Sequence, residues 1–289
     1  MKLFKANITD DKAYQISQNN FEFQTRRRTP NYQNSGGKAV YYAVCPACEN
    51  PIQIIGLYTP SKHTEKPFGK HVKKTIRKLA QYDQLAYDFC PYASHKLSLN
   101  KNQTREKITD REKRMLNQLV EHFDQVAYIF KEQTGIYLSK KLATDMLTAY
   151  KAAEGYLYQG ANFLNVPWMF AYMSNNQKLW GRKITNPELK KLIESANSNI
   201  SFNENGVLTT KAYSDINFWF TDHQRKNDAN GDLLETMKLV ISESSKNIVT
   251  KLIEFDHKFF QSLLHVPDEK RPRKEELVPL ARNILGSLL

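Results

Sequence analysis

Cys45-Pro46-Ala47-Cys48 is the segment that most limits how this chain can fold. Two cysteines two residues apart ask the backbone to turn sharply and bring both sulfurs to one point. The stretch before it, Ala39-Val40-Tyr41-Tyr42-Ala43-Val44, is β-branched and aromatic, and Ile52-Gln53-Ile54-Ile55-Gly56-Leu57-Tyr58 after it is similar. A strand–turn–strand unit is therefore expected. One further cysteine exists, Cys90, 42 positions after Cys48, and His95 follows it by five. Three thiolates and an imidazole suit a tetrahedral zinc ion with no open coordination position, hence a structural cofactor rather than a catalytic one. The expected ligand set is Cys45, Cys48, Cys90 and His95, with His71 and His63, between the two half-sites, as alternatives for the fourth place. A redox Cys-x2-Cys normally opens a helix, whereas Glu49-Asn50-Pro51 and then a strand follow here. Three unrelated buried thiols would leave the strand–turn setting unexplained.

The Cys-x2-Cys…Cys-x4-His arrangement resembles the paired knuckles of a zinc ribbon or treble clef, over residues 40 to 95 only. That resemblance implies a small module fastened by its ion. A segment of this size buries too little apolar surface to be stable alone, and zinc would add on the order of 10 kcal/mol.

Charge is distributed unevenly. Residues 1 to 115 hold 21 of the 42 Lys+Arg but 10 of the 30 Asp+Glu, so nearly all of the net +12 sits in the first two-fifths. Such asymmetry favours an anionic partner: nucleic acid, an acidic protein face or an anionic membrane surface. Arg26-Arg27-Arg28, before Thr29-Pro30, reads as part of a loop or extended arm. Between Pro67 and Ala80, Val72, Ile76, Leu79 and Ala80 recur at helical spacing, which predicts an amphipathic helix with Lys70, Lys73, Lys74, Arg77 and Lys78 mostly on its other side. A plain solvated face would carry the same charges.

Beyond residue 105 the pattern reads as helical almost throughout. Thr109 with Glu112 forms a capping box, Gly135 a stop, Ser139 a cap, and Asn186-Pro187-Glu188 a helix start. A long helix is expected from Asp232 to about His265. The predicted fold is mostly α: a zinc-ribbon-like α+β module over residues 1–100, then an all-helical domain over 105–289. No run approaches the ~18 apolar residues of a membrane span, and the polar start argues against a secretory leader. Few cysteines and no leader point to a cytoplasmic protein.

No Gly-x-Ser-x-Gly, His-Glu-x-x-His or phosphate-loop motif is present, and no catalytic residue is nominated. The aromatic stretch around Asn165-Val166-Pro167-Trp168, with Tyr156, Tyr158, Trp180 and Arg182, reads as core or as a base-stacking groove. The leading expectation is a zinc-stabilised nucleic-acid-binding protein with a helical regulatory or interaction domain. Its backbone contacts would come from Lys70, Lys73, Lys74, Arg77 and Lys78, with Arg26, Arg27 and Arg28 as an accessory arm. One alternative is an adaptor docking an acidic protein surface; another is a metal-dependent nuclease using Asp222, His223, Asp256 or His257.

Overall fold

The computed structural model describes residues 1–10, 12–60, 66–94, 97–227, 232–270, 274 and 276–289. The chain divides into two compact units, Met1–Leu97 with Asn162–Leu164, and Ser98–Ala161 with Asn165–Leu289.

In the first unit, β1 (Leu3–Phe4) pairs antiparallel with β2 (Tyr14–Gln15). Helix α1 (Gln18–Thr25) follows, capped by Ser17 Oγ accepting from Asn20 N at 3.2 Å and ended by Arg26 in the left-handed region (φ 50°). Patterning alone reads residues 1–37 as irregular, with a short strand candidate at Phe21-Glu22-Phe23; a helix forms there instead, and only Phe21 and Thr25 of it are buried. An antiparallel sheet is then built from β3 (Tyr32–Ser35), β4 (Lys38–Val44), β5 (Pro51–Ile55) and β6 (Phe68–His71), in that order. Its two faces bury different clusters. Ala43, Ile52 and Ile54 join Phe4, Phe21 and the three cysteines, while Tyr42 and Val44 join Ile76, Leu79 and Ala80. Gly69 in β6 sits in a crowded place: a Cβ there would meet Ile52 Cδ1 at 2.9 Å and Met1 Cγ at 3.0 Å, and those side-chain ends would have to shift.

The predicted cationic helix does not form. Phe68–His71 pairs with Ile52–Ile55 instead, and residues 72–82 run as bends and turns closed by an Ile76–Ala80 bridge, with Lys78 left-handed (φ 63°). The apolar positions that imitate a helical stripe are used by a loop that folds back onto Tyr42 and Val44. Like charges four apart, Lys70/Lys74, Lys73/Arg77 and Lys74/Lys78, oppose the helix further. Only α2 (Gln84–Asp88) is helical here, capped by Asp83 Oδ1 accepting from Ala86 N at 2.9 Å.

The second unit is mixed, not all-helical. It contains α3 (Asp110–Glu121), α4 (Phe123–Thr134), α5 (Lys140–Ala152), α6 (Val166–Met173), β7 (Gln177–Lys178), α7 (Pro187–Ala196), β8 (Ile200–Phe202), β9 (Leu208–Thr210), β10 (Ile216–Asn227), β11 (Leu233–Glu243), β12 (Lys246–Glu254), α8 (His257–His265) and α9 (Leu277–Leu285). The capping box at Thr109, the Gly135 stop, the Ser139 cap and the Asn186-Pro187 start all fall where local patterning puts them. The expected helix from Asp232 is instead an antiparallel hairpin, β11–β12, in a sheet ordered β12-β11-β10-β7. Ser244 and Ser245 make its two-residue turn with φ of 45° and 71°, a primed-turn backbone that usually advertises itself as Asn-Gly. Across the described residues, 35% helix, 27% strand and four sheets replace the mostly α expectation. Phe130 of α4 packs against Phe218 and Phe220 of β10 at 6.5 and 6.0 Å, which joins the helices to the sheet. No described helix is long and apolar enough to cross a membrane.

Candidate metal centre

The Cys45–Cys48 turn is a tight knuckle between β4 and β5. Cys45 N donates to Asn50 O at 2.9 Å, Glu49 N donates to Cys45 O at 2.9 Å, and Glu49 takes a left-handed φ of 59°. The buried Glu49 carboxylate meets the buried Lys5 ammonium at 3.2 Å, and that ammonium also lies 4.9 Å from the centre of the Phe163 ring. A strand, not a helix, follows the motif, so the local structure differs from that of a redox pair.

Four ligand atoms converge there. Cys45, Cys48, Cys90 and His71 present three sulfurs and one ring nitrogen, all within 4.8 Å of one another. Cys45 Sγ is 3.8 Å from Cys90 Sγ, and His71 Nε2 is 3.3 Å from Cys48 Sγ and 3.7 Å from Cys90 Sγ. A tetrahedral ion with bonds of ~2.3 Å to sulfur and ~2.0–2.1 Å to nitrogen sets sulfurs ~3.8 Å apart and sulfur from nitrogen ~3.6 Å. The spacing therefore fits such an ion. All three cysteines are free and buried.

Each ligand is placed by a different part of the fold. His71 closes β6, opposite Ile52 of β5, so sheet register delivers it. Cys90 follows α2. Asn50 links the knuckle to that helix: its Nδ2 donates to Cys48 Sγ at 3.4 Å and to Asp83 O at 3.0 Å, and its Oδ1 accepts from Asp83 N at 2.7 Å. Tyr92 N donates to Cys90 Sγ at 3.4 Å. Such N–H···S bonds orient thiolate ligands.

The surroundings of the four groups act on their ionisation in opposite directions. Burial raises Cys90 well above its usual value and also raises Cys48. Burial opposes ionisation of Cys45 too, but hydrogen bonds from Cys48 and Cys90 and the charge on His71 hold it well below its usual range. Burial works against the His71 cation, and the Cys45 thiolate outweighs it, pushing His71 up to about 10. A divalent ion would stabilise all three thiolates and leave the imidazole neutral.

The structure brings together Cys45, Cys48 and Cys90 of the expected ligand set, with His71 as the fourth group; His95 and His63 lie outside the described residues. No spacing rule picks out His71, because it reaches the site through strand pairing. Lys70, Lys73, Lys74, Arg77 and Lys78 are all exposed, and among the described residues none is paired with a carboxylate. Lys73 Nζ lies 5.1 Å from the centre of the Tyr87 ring, which packs edge-on against His71 at 5.2 Å. Lys74 Nζ lies 5.7 Å from the centre of the Tyr42 ring. Arg26, Arg27 and Arg28 are exposed after α1, but Arg27 meets Glu22 at 2.7 Å and lies 5.8 Å from the centre of the Tyr58 ring. Tyr58 packs against the cluster that includes Tyr87, and Ile76, Leu79 and Ala80 of the 72–80 loop join Tyr42 and Val44 in the other.

The histidines of the second unit have other tasks. His223 Nε2 and Arg225 Nε each reach Glu235 Oε1 at 2.6 Å, His257 Nε2 reaches Oε2 at 2.9 Å, and Asn165 Nδ2 donates to Oε1 at 2.9 Å. The Tyr158 hydroxyl bonds His223 Nδ1 at 2.9 Å. Asp222 instead faces Lys238 at 2.7 Å, and Asp256 caps α8 by accepting from Phe259 N at 2.8 Å. The Cys–His cluster is the one group of three or more metal-ligating side chains found among the described residues. Trp168 is buried and stacked on Phe255 at 4.8 Å, and Tyr156 and Tyr158 are buried. Trp180 is exposed, and Arg182 binds Asp145 at 2.6 Å. Comparison with protein-family models, curated proteins and solved structures finds no match.

Proposed function

We propose that the first unit is a zinc-fastened module that binds nucleic acid through its phosphate backbone. The observation that carries this reading is positional: His71 and Cys90 bracket the segment that bears Lys73, Lys74, Arg77 and Lys78. An ion held by both, and by the Cys45–Cys48 knuckle, would pin the segment at its two ends and to the hairpin. Three sulfurs and an imidazole at tetrahedral spacing favour zinc, and four protein ligands leave no place for an activated water, so its role is structural. Exposed cations without carboxylate partners repel one another, and phosphates would relieve that. Because the cations sit on a loop rather than a helix that could enter a groove, the reading is of backbone contact with little dependence on sequence.

The test is a Lys73→Glu, Lys74→Glu, Arg77→Glu variant. Binding to unrelated DNA and RNA should fall steeply, while zinc content and melting temperature stay close to those of the parent. Undiminished affinity removes the loop from the interface. If the parent itself binds no nucleic acid at low salt, the acidic protein face becomes the better partner for the same cations.

A further inference from the structure

We infer that the second unit holds a separate pocket for a nucleotide, formed by Lys101, Asn175, Asn176 and Trp219. The pocket is a depression open to solvent, with a volume of about 340 Å³, in which Asn175 and Asn176 are exposed and Lys101 and Trp219 half-buried. Its polar side chains make no hydrogen bond or ion pair among the described residues. Among the described residues the Lys101 ammonium makes no ion pair or hydrogen bond; it lies 5.0 Å from the centre of the Tyr172 ring, and burial lowers its pKa. Neither asparagine side chain nor the Trp219 indole N–H has a hydrogen-bond partner there, and the indole has no ring partner. A partly desolvated cation, a half-buried indole face and two solvent-facing amides line one space and can engage the same ligand.

The fold holds these groups in place. Trp219 lies on β10 between Phe218 and Phe220, which turn inward, so strand alternation sends the indole to the opposite face. Asn175 follows the end of α6 in the left-handed region (φ 57°), after Ser174, whose hydroxyl donates to Phe170 O at 2.5 Å. Tyr172, beneath Lys101, is itself packed against Tyr158 and His223 at 5.5 and 5.6 Å.

Ligand chemistry follows from the groups. The ammonium takes a phosphate, the indole takes a flat heteroaromatic ring, and the amides match the donor–acceptor edge of a base. An inorganic anion would use only the lysine, and an apolar ring only the tryptophan. The same chemistry is offered by a free mononucleotide and by one nucleotide of a single strand.

The experiment follows tryptophan fluorescence of the full chain titrated with adenosine monophosphate, adenosine and inorganic phosphate. It uses the Lys73→Glu, Lys74→Glu, Arg77→Glu background, so that the outcome does not depend on the first unit. Saturable quenching by the monophosphate is expected, with adenosine and phosphate at least about tenfold weaker. Trp219→Leu should abolish the quench and weaken binding about tenfold by loss of stacking, Trp219→Phe should retain binding, and Lys101→Gln should cost about tenfold. Displacement of the monophosphate by a short oligoadenylate assigns the pocket to a strand, and failure to displace it assigns the pocket to free nucleotides. Absence of saturable quenching at millimolar monophosphate, or quenching unchanged in a folded Trp219→Leu protein, overturns the inference.

Discussion

Replacing His71 with alanine tests the metal centre most directly. With His71 as a ligand, the ion closes one loop of 24 residues from Cys48 and another of 20 to Cys90; without it, a single loop of 43 remains. Restricting the unfolded chain less costs ~3 kcal/mol of stability. For a unit of about this size, each kcal/mol moves the melting temperature ~4–8 °C, so a fall of ~12–24 °C is expected in the first unit's transition. The assay is differential scanning calorimetry with zinc measured per chain by elemental analysis, on His71→Ala, His71→Cys and His95→Ala. The alanine variant at position 71 should hold zinc more weakly through the three cysteines, the cysteine variant should keep it by supplying a thiolate, and His95→Ala should match the parent. Retention of one zinc per chain with an unshifted transition in His71→Ala, or loss of zinc in His95→Ala alone, would refute the geometric assignment.

Other consequences are equally direct. Five phosphate contacts, from Lys70, Lys73, Lys74, Arg77 and Lys78, give a slope of log affinity against log salt of ~−4.5 on duplex DNA, and the triple glutamate variant should flatten it to ~−1.8. Acid should destabilise the second unit: burial lowers His223, and Arg225 with the two histidines outweighs burial to hold Glu235 well below its usual value. Both groups therefore bind protons more readily when unfolded. Stability should be full above the ordinary histidine range and decline as pH falls from ~6.5 through the carboxylate range; a flat melting profile over that window would count against it. Glu235→Gln removes the buried carboxylate that Arg225 meets at 2.6 Å and should cost ~3–5 kcal/mol, read by denaturant unfolding. Ser245→Gly relieves a side chain at φ 71° and should stabilise the β11–β12 hairpin by about 1 kcal/mol, read the same way.

Signals that act over three or four residues were legible in advance. Thr109 with Glu112, Ser139 and Asn186-Pro187 start helices where they should, because a cap needs only its own first turn. The Cys45–Cys48 knuckle is of the same kind, a turn between two β-branched runs. From Leu233 to Glu254 the apolar residues are dense enough to match a helix as well as a strand, and the turn between the strands is Ser-Ser, which carries no hairpin signal. The buried Glu235 network escaped notice because its members come from α6's approach, β10, β11 and α8.

Local chemistry, then, decided that three sulfurs would be available and that positive charge would gather in the first part of the chain. It could not decide which histidine joins the sulfurs or what backbone the lysines ride on. Those were settled by pairing β6 against β5, which ends at His71 and turns the following residues back over Tyr42 and Val44. Strand register is a contact between residues far apart in sequence, and its energy appears only when the sheet has formed.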